Sequence, residues 1–119
     1  YGKMSRSADG DNWQEANYVT DENFASIFSA NNTVVAGAFE ESTTNYPIKR
    51  STDNGTTWDN ATSGTTIGRG SISFGNNTFI TGGGSVSILT SSDNGSTWTT
   101  RDSGISSGSI SILGISYKE

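Results

Sequence analysis

Ser51-Thr52-Asp53-Asn54-Gly55-Thr56-Thr57-Trp58 and Ser91-Ser92-Asp93-Asn94-Gly95-Ser96-Thr97-Trp98 are two versions of one string, set 40 residues apart. Arg6-Ser7-Ala8-Asp9-Gly10-Asp11-Asn12-Trp13 carries the same elements with one residue missing between Asp and Gly, 44 residues before the second copy by its serine. The string has the chemistry of a tight turn. Its Asp carboxylate accepts backbone N–H groups of the turn itself, Asn-Gly takes up positive φ, and the Trp that follows folds its ring into a core. Ser7, Asp9, Gly10 and Trp13, with Ser51, Asp53, Gly55 and Trp58 and with Ser91, Asp93, Gly95 and Trp98, are therefore read as structural residues. Asp9 and Asp11 are considered as calcium ligands, but no further acids follow at EF-hand spacing, so no metal site is assigned.

Working outward, Ser29-Ala30-Asn31-Asn32-Thr33 and Phe74-Gly75-Asn76-Asn77-Thr78 place an Asn pair upstream of the second and third copies. Such pairs mark hairpin turns. Around them residues 24–30 and 71–75 read as a first strand, 33–40 and 78–82 as a second, 48–51 and 86–91 as a third, and 58–62 and 98–102 as a fourth. Four short strands per repeat of about 40 residues is the pattern of a β-propeller blade. The fold class is thus all-β, about three four-stranded antiparallel blades in a single domain over 1–119. The blades fall at 21–63, at 64–107, and at a third formed by 1–20 together with 108–119. In that third blade residues 3–7 and 13–19 read as third and fourth strands. The tail Ser109-Ile110-Ser111-Ile112-Leu113-Gly114-Ile115-Ser116-Tyr117 resembles the first-strand segment Ser71-Ile72-Ser73-Phe74, with a second strand after Gly114.

Composition agrees with short strands and turns. Only 30% of the 119 residues are apolar and 16% charged, with 15 glycines and one proline, Pro47; Ser, Thr and Asn fill much of the remainder. Cysteine and histidine are absent, which excludes disulfides, the usual zinc ligand sets and Ser-His-Asp or Cys-His catalysis. A net charge of −5 without a Lys/Arg cluster argues against nucleic acid or an anionic bilayer as partner. There is no run of about 18 apolar residues for a membrane span and no charged-then-apolar signal sequence. The start at Tyr1 points to processing, truncation or a longer parent chain.

The periodic pattern S-x-D-x-G-x-x-W resembles the Asp-box, or bacterial neuraminidase, repeat of sialidases, sortilin-type receptors, a photosystem II assembly factor and many phage tail and surface proteins. The resemblance covers nearly the whole chain and implies a propeller of six or more blades. It says little about function, because its hosts differ so widely. Three blades do not close such a ring. Either two copies join head to tail into a six-bladed dimer with two-fold symmetry, or the chain is part of a longer one; an open stack held by neighbouring virion proteins is a third arrangement. For sialidase-type members the resemblance implies an arginine triad, a tyrosine nucleophile with a glutamate, and an aspartate acid/base. The arginines here are Arg6, Arg50, Arg69 and Arg101. Arg6 and Arg50 take the same place beside a repeat turn, which favours a scaffold role, and no Phe/Tyr-Arg-Ile-Pro segment surrounds any of the four. Tyr18 or Tyr46 with Glu40 or Glu41 come nearest to a nucleophile pair. Loop aromatics and solvated carboxylates are the plainer reading, so no catalytic residue is assigned.

Glu40-Glu41-Ser42-Thr43-Thr44-Asn45-Tyr46-Pro47 lengthens one hairpin where the next repeat has only Gly82-Gly83-Gly84-Ser85. Inserted loops on one face of a propeller are where recognition resides. Glu40, Glu41, Asn45 and Tyr46 are therefore the candidate ligand-binding residues, suited to a sugar through hydroxyl hydrogen bonds and ring stacking. The sequons at Asn31, Asn54, Asn60, Asn76 and Asn94 follow from the turn composition. The sequence points to a non-enzymatic extracellular or virion-surface module, phage-tail-like, for host attachment to a glycan or protein or for particle decoration, without a cofactor. The alternatives are the C-terminal part of a sialidase-like glycoside hydrolase and a sortilin-like or assembly-factor-like protein-binding scaffold.

Overall fold

A computed structural model describes residues 4–16, 23–38, 47–106, 112 and 114–118. Among them the chain is all-β, without a helix, and its ten strands form three antiparallel sheets that do not close into a barrel. The first sheet pairs β1 (Ser5–Ser7) with β2 (Trp13–Glu15). In the second, β3 (Phe24–Ala30), β4 (Thr33–Ala38), β5 (Ile48–Ser51) and β6 (Asp59–Asn60) lie in chain order. The third repeats that order with β7 (Arg69–Gly75), β8 (Thr78–Gly83), β9 (Ile88–Ser91) and β10 (Thr99–Arg101). The first two strands of each four-stranded sheet meet at the Asn pairs. Asn31 and Asn32 stand at φ 52° and 56°, Asn76 and Asn77 at 49° and 55°, so both residues of each two-residue turn take the left-handed conformation that matches the twist of a hairpin. The four strands read for each of these two repeats are all present, with ends displaced by a few residues.

Successive sheets stack. Val35, Ile48 and Ala61 of the second sheet join Ile72, Phe79, Leu89 and Trp98 of the third in one buried cluster. The ring of Phe79 lies 4.7 Å from Phe74 and 6.4 Å from Trp98, tilted to both, as aromatic quadrupoles prefer. A smaller cluster joins the first sheet to the second through Ala16, Ala36 and Trp58, with Met4, Phe24 and Val34 packed on it. The core is therefore a row of thin layers between sheets, which suits a chain poor in aliphatic residues. Polar links cross the same gaps: Thr62 exchanges backbone hydrogen bonds of 3.0 and 2.9 Å with Ser96 and Trp98, and Asn31 donates its amide to Asn94 at 2.6 Å. Close approach demands glycine at Gly37, where a Cβ would stand 2.8 Å from that of Arg69.

The C-terminal tail stacks on the third sheet. Ile112 is held against Gly82, the site on the third sheet that matches Gly37 on the second, so Ile112 takes the place that Arg69 takes one layer earlier. Its N–H donates to the carbonyl of Gly83 at 2.9 Å. Farther on, the N–H groups of Ile115 and Tyr117 donate to the hydroxyls of Ser71 and Ser73 at 3.1 and 3.2 Å. Ile115-Ser116-Tyr117 thus lies along β7, where Ile72-Ser73-Phe74 lies one layer back. Ser109 to Ser111 lie outside the described residues.

Candidate functional site

The repeat turns are the best-defined local chemistry. In each, a Ser hydroxyl donates to the Asp Oδ1, at 2.9 Å for Ser7 and Asp9, 2.8 Å for Ser51 and Asp53, and 2.7 Å for Ser91 and Asp93. The same hydroxyl accepts the glycine N–H, at 2.8 Å from Gly10, 2.8 Å from Gly55 and 2.9 Å from Gly95. Oδ1 also takes a backbone N–H from the residue before the Trp, and each indole N–H donates to the glycine carbonyl at 3.0 or 3.1 Å. Asp Oδ2 receives the Thr57 or Thr97 hydroxyl in the full-length copies. In the shortened copy the Asn12 amide takes that role at 2.8 Å. One deleted residue therefore changes the donor and leaves the circuit intact.

This circuit stabilises the ionised carboxylates. Hydrogen bonds from Asn12, then Asp11 and Ser7, hold Asp9 far below its ordinary value. Asp53 falls from 3.8 to about 2 through the hydroxyl and N–H of Thr57 and the hydroxyl of Ser51. At Asp93 burial pushes the other way, yet the bonds from Thr97 and Ser91 outweigh it and the net shift is downward. A carboxylate that accepts several N–H and O–H donors is favoured in its charged form. Such a group is a poor proton carrier near neutrality.

Glu40, Glu41, Asn45 and Tyr46, the candidate binding residues, and Tyr18 lie outside the described residues. The stem of their loop is defined: the N–H of Ala38 donates to the carbonyl of Pro47 at 2.8 Å, as Gly83 does to Ser87 at 3.0 Å in the shorter connection of the next sheet. Among the described residues no group of three or more acidic side chains gathers into a metal-holding set. Arg6 donates to Gln14 at 3.4 Å, and Arg101 donates to Thr90 at 2.9 Å. A cleft of about 190 Å³ beside the first turn is lined by Arg6, Ser7, Ala8, Asp9, Asn12 and Gln14.

Arg69 is a feature sequence reasoning missed. It is fully buried at the start of β7, with Nε donating to the Ile67 carbonyl at 3.0 Å and Nη1 to the Ser87 hydroxyl at 2.9 Å, while Nη2 has no partner. Desolvation lowers its pKa to about 10. A buried donor without a partner costs about 1–3 kcal/mol, offset here by the bonds made to Ile67 and Ser87 and by packing of its Cβ against Gly37 and its guanidinium against Gly83. The one signal in the sequence is an arginine flanked by glycines, Gly68 and Gly70, at the head of a first strand.

Comparison of the chain with protein-family models, with curated proteins and with solved structures finds no match.

Proposed function

We propose that this chain is part of an Asp-box β-propeller serving as a non-enzymatic recognition module on an extracellular or virion surface of the phage-tail type. In this reading stacked blades carry loops that attach to a host glycan or protein, and a second chain or further sequence completes the ring. The observation that carries the reading is the use of the aspartates. Each carboxylate whose pKa is clearly moved among the described residues is a turn aspartate, moved down, and bonded to its own turn. General acid/base work at neutral pH calls for the opposite shift. A rigid, locally wired frame with one lengthened hairpin between β4 and β5, closed at its stem by Ala38 and Pro47, suits display rather than turnover.

The test is binding and turnover measured on one sample. The protein is applied to an array of bacterial and host-cell glycans and incubated with a fluorogenic sialoside. The expected result is saturable glycan or cell binding that falls at least tenfold when Glu40, Glu41 and Tyr46 are all replaced by alanine, with no fluorophore released. Release of the fluorophore at a rate proportional to protein would overturn the reading in favour of a hydrolase. Binding unaffected by the triple variant would move the site off this loop.

A further inference from the structure

The repeat turns hold the dipeptides most prone to spontaneous rearrangement. Asn54-Gly55 and Asn94-Gly95 are the two Asn-Gly pairs of the chain, and Asp9-Gly10 is its one Asp-Gly pair. The turn demands the glycine. The Asp53 carbonyl accepts the N–H of Thr56 at 3.3 Å, with Asn54 and Gly55 at φ 58° and 79°; Asp93 and Ser96 repeat the bond at 3.3 Å, with Asn94 and Gly95 at 57° and 78°. Two successive left-handed residues make a type I′ turn, for which Asn-Gly is a preferred pair. The same pair readily loses ammonia, because no Cβ shields the glycine nitrogen. That nitrogen attacks the Asn Cγ, the amide C–N bond breaks, and the amide leaves as ammonia carrying the glycine N–H proton. Water then opens the five-membered imide to aspartate or isoaspartate. The fold therefore requires a dipeptide that its own chemistry makes fragile.

We propose that Asn54 and Asn94 are latent deamidation sites, and that the turn serine of each copy, Ser51 or Ser91, holds the reaction off by capturing the nucleophile. The N–H of Gly55 donates to Ser51 Oγ at 2.8 Å and that of Gly95 to Ser91 Oγ at 2.9 Å, both in buried bonds. Attack requires this nitrogen to give up its proton to solvent base, and a buried, bonded N–H does not meet that base until the turn opens. Geometry acts in the same direction. At the first central residue of a type I′ turn ψ is about +30°, which sets the glycine nitrogen nearly opposite the Asn Cβ. Ring closure needs it on the same side as Cβ, and the rotation that brings it there breaks both the turn bond and the bond to serine. The exposed Asn54 and Asn94 side chains thus survive while the turn is closed and react when it opens. Each event adds a negative charge and, as isoaspartate, an extra backbone carbon in the turn. Asp9-Gly10 is guarded in the same way: the Gly10 N–H donates to Ser7 Oγ at 2.8 Å, and the carboxylate is occupied by Ser7, Asp11 and Asn12. The inference concerns the turns and does not depend on what the loops bind.

The 119-residue protein is aged in mildly alkaline buffer at physiological temperature, folded and in urea, and peptide mapping by mass spectrometry scores asparagine, aspartate and isoaspartate at positions 54 and 94. The expected result is deamidation at both positions at least tenfold slower in the folded protein than in urea. Ser91→Ala, shown to be folded by circular dichroism, raises the rate at position 94 at least fivefold and leaves position 54 at the parent rate. Ser51→Ala does the reverse, and Ser91→Thr, which keeps the hydroxyl acceptor, stays slow. The proposal is overturned if folded and unfolded rates agree, or if Ser91→Ala leaves position 94 at the parent rate. Acceleration of both positions together in Ser91→Ala also overturns it, because general unfolding rather than the turn serine is then the gate.

Discussion

The first and third repeat turns share four hydrogen bonds at nearly the same lengths, yet Trp13 stands in solvent and Trp98 in the core. The circuit of Ser, Asp, Gly and Trp is closed by residues within a few positions of one another, so it forms whether or not anything covers it. Burial of the ring is decided elsewhere, by Phe79 on β8 and by Val35 on the neighbouring sheet. The turn is a local device and the layer is a tertiary one. The two can be separated by mutation.

The largest separation is expected for the rings themselves. Trp98→Ala is expected to destabilise by about 3–5 kcal/mol, the usual cost of emptying a buried aromatic site, whereas Trp13→Ala costs under about 1 kcal/mol as a surface change; paired urea titrations compare the two. Equal losses would mean that Trp13 is covered in solution. Next comes the serine. In Ser91→Ala the buried N–H of Gly95 loses its acceptor, at about 1–3 kcal/mol, and Ser7→Ala, whose Gly10 N–H turns to water, loses about 0.5–1 kcal/mol. Glycine gives a finer contrast. Gly10 and Gly95 share positive φ, 84° and 78°, and pay the same left-handed penalty of about 1–2 kcal/mol on substitution by alanine. A Cβ at Gly95 would stand 2.9 Å from Val35, while one at Gly10 meets nothing within 4 Å, so thermal melts should rank Gly95→Ala below Gly10→Ala.

The smallest expected effect is that of pH on the whole. Because Asp53 and its two equivalents have folded-state values below their unfolded ones, their contribution is complete above about pH 4. It is lost as pH falls through the folded values, about 2 for Asp53. Acid titration followed by circular dichroism should show stability falling across that window. Asp53→Asn should flatten the dependence, and a flat curve for the parent protein would break the account of the turns.

Much of the frame was legible because its signals are short-range. The Asn pairs, the three aspartate turns and the strands beside them depend on φ preferences and on bonds spanning two to four residues. What escaped depends on contacts between layers. Arg69 gives no sign in its neighbours that it will be buried with one nitrogen unpaired. How the tail stacks is set by close approach at the glycines at positions 75 and 82, to Tyr117 and Ile112. The loop of Glu40, Glu41, Asn45 and Tyr46 was found as an insertion, a feature of spacing that carries no conformation with it.

By itself, then, the sequence determined the strands, the hairpins and the wiring of each turn, since these are settled by local geometry and by donors and acceptors a few residues apart. Only the tertiary structure decided which tryptophan is buried and how the described part of the tail stacks. Those outcomes turn on surface brought together from distant positions in the chain, through stacked layers as in repeat architectures, and no local pattern records whether the covering layer is present.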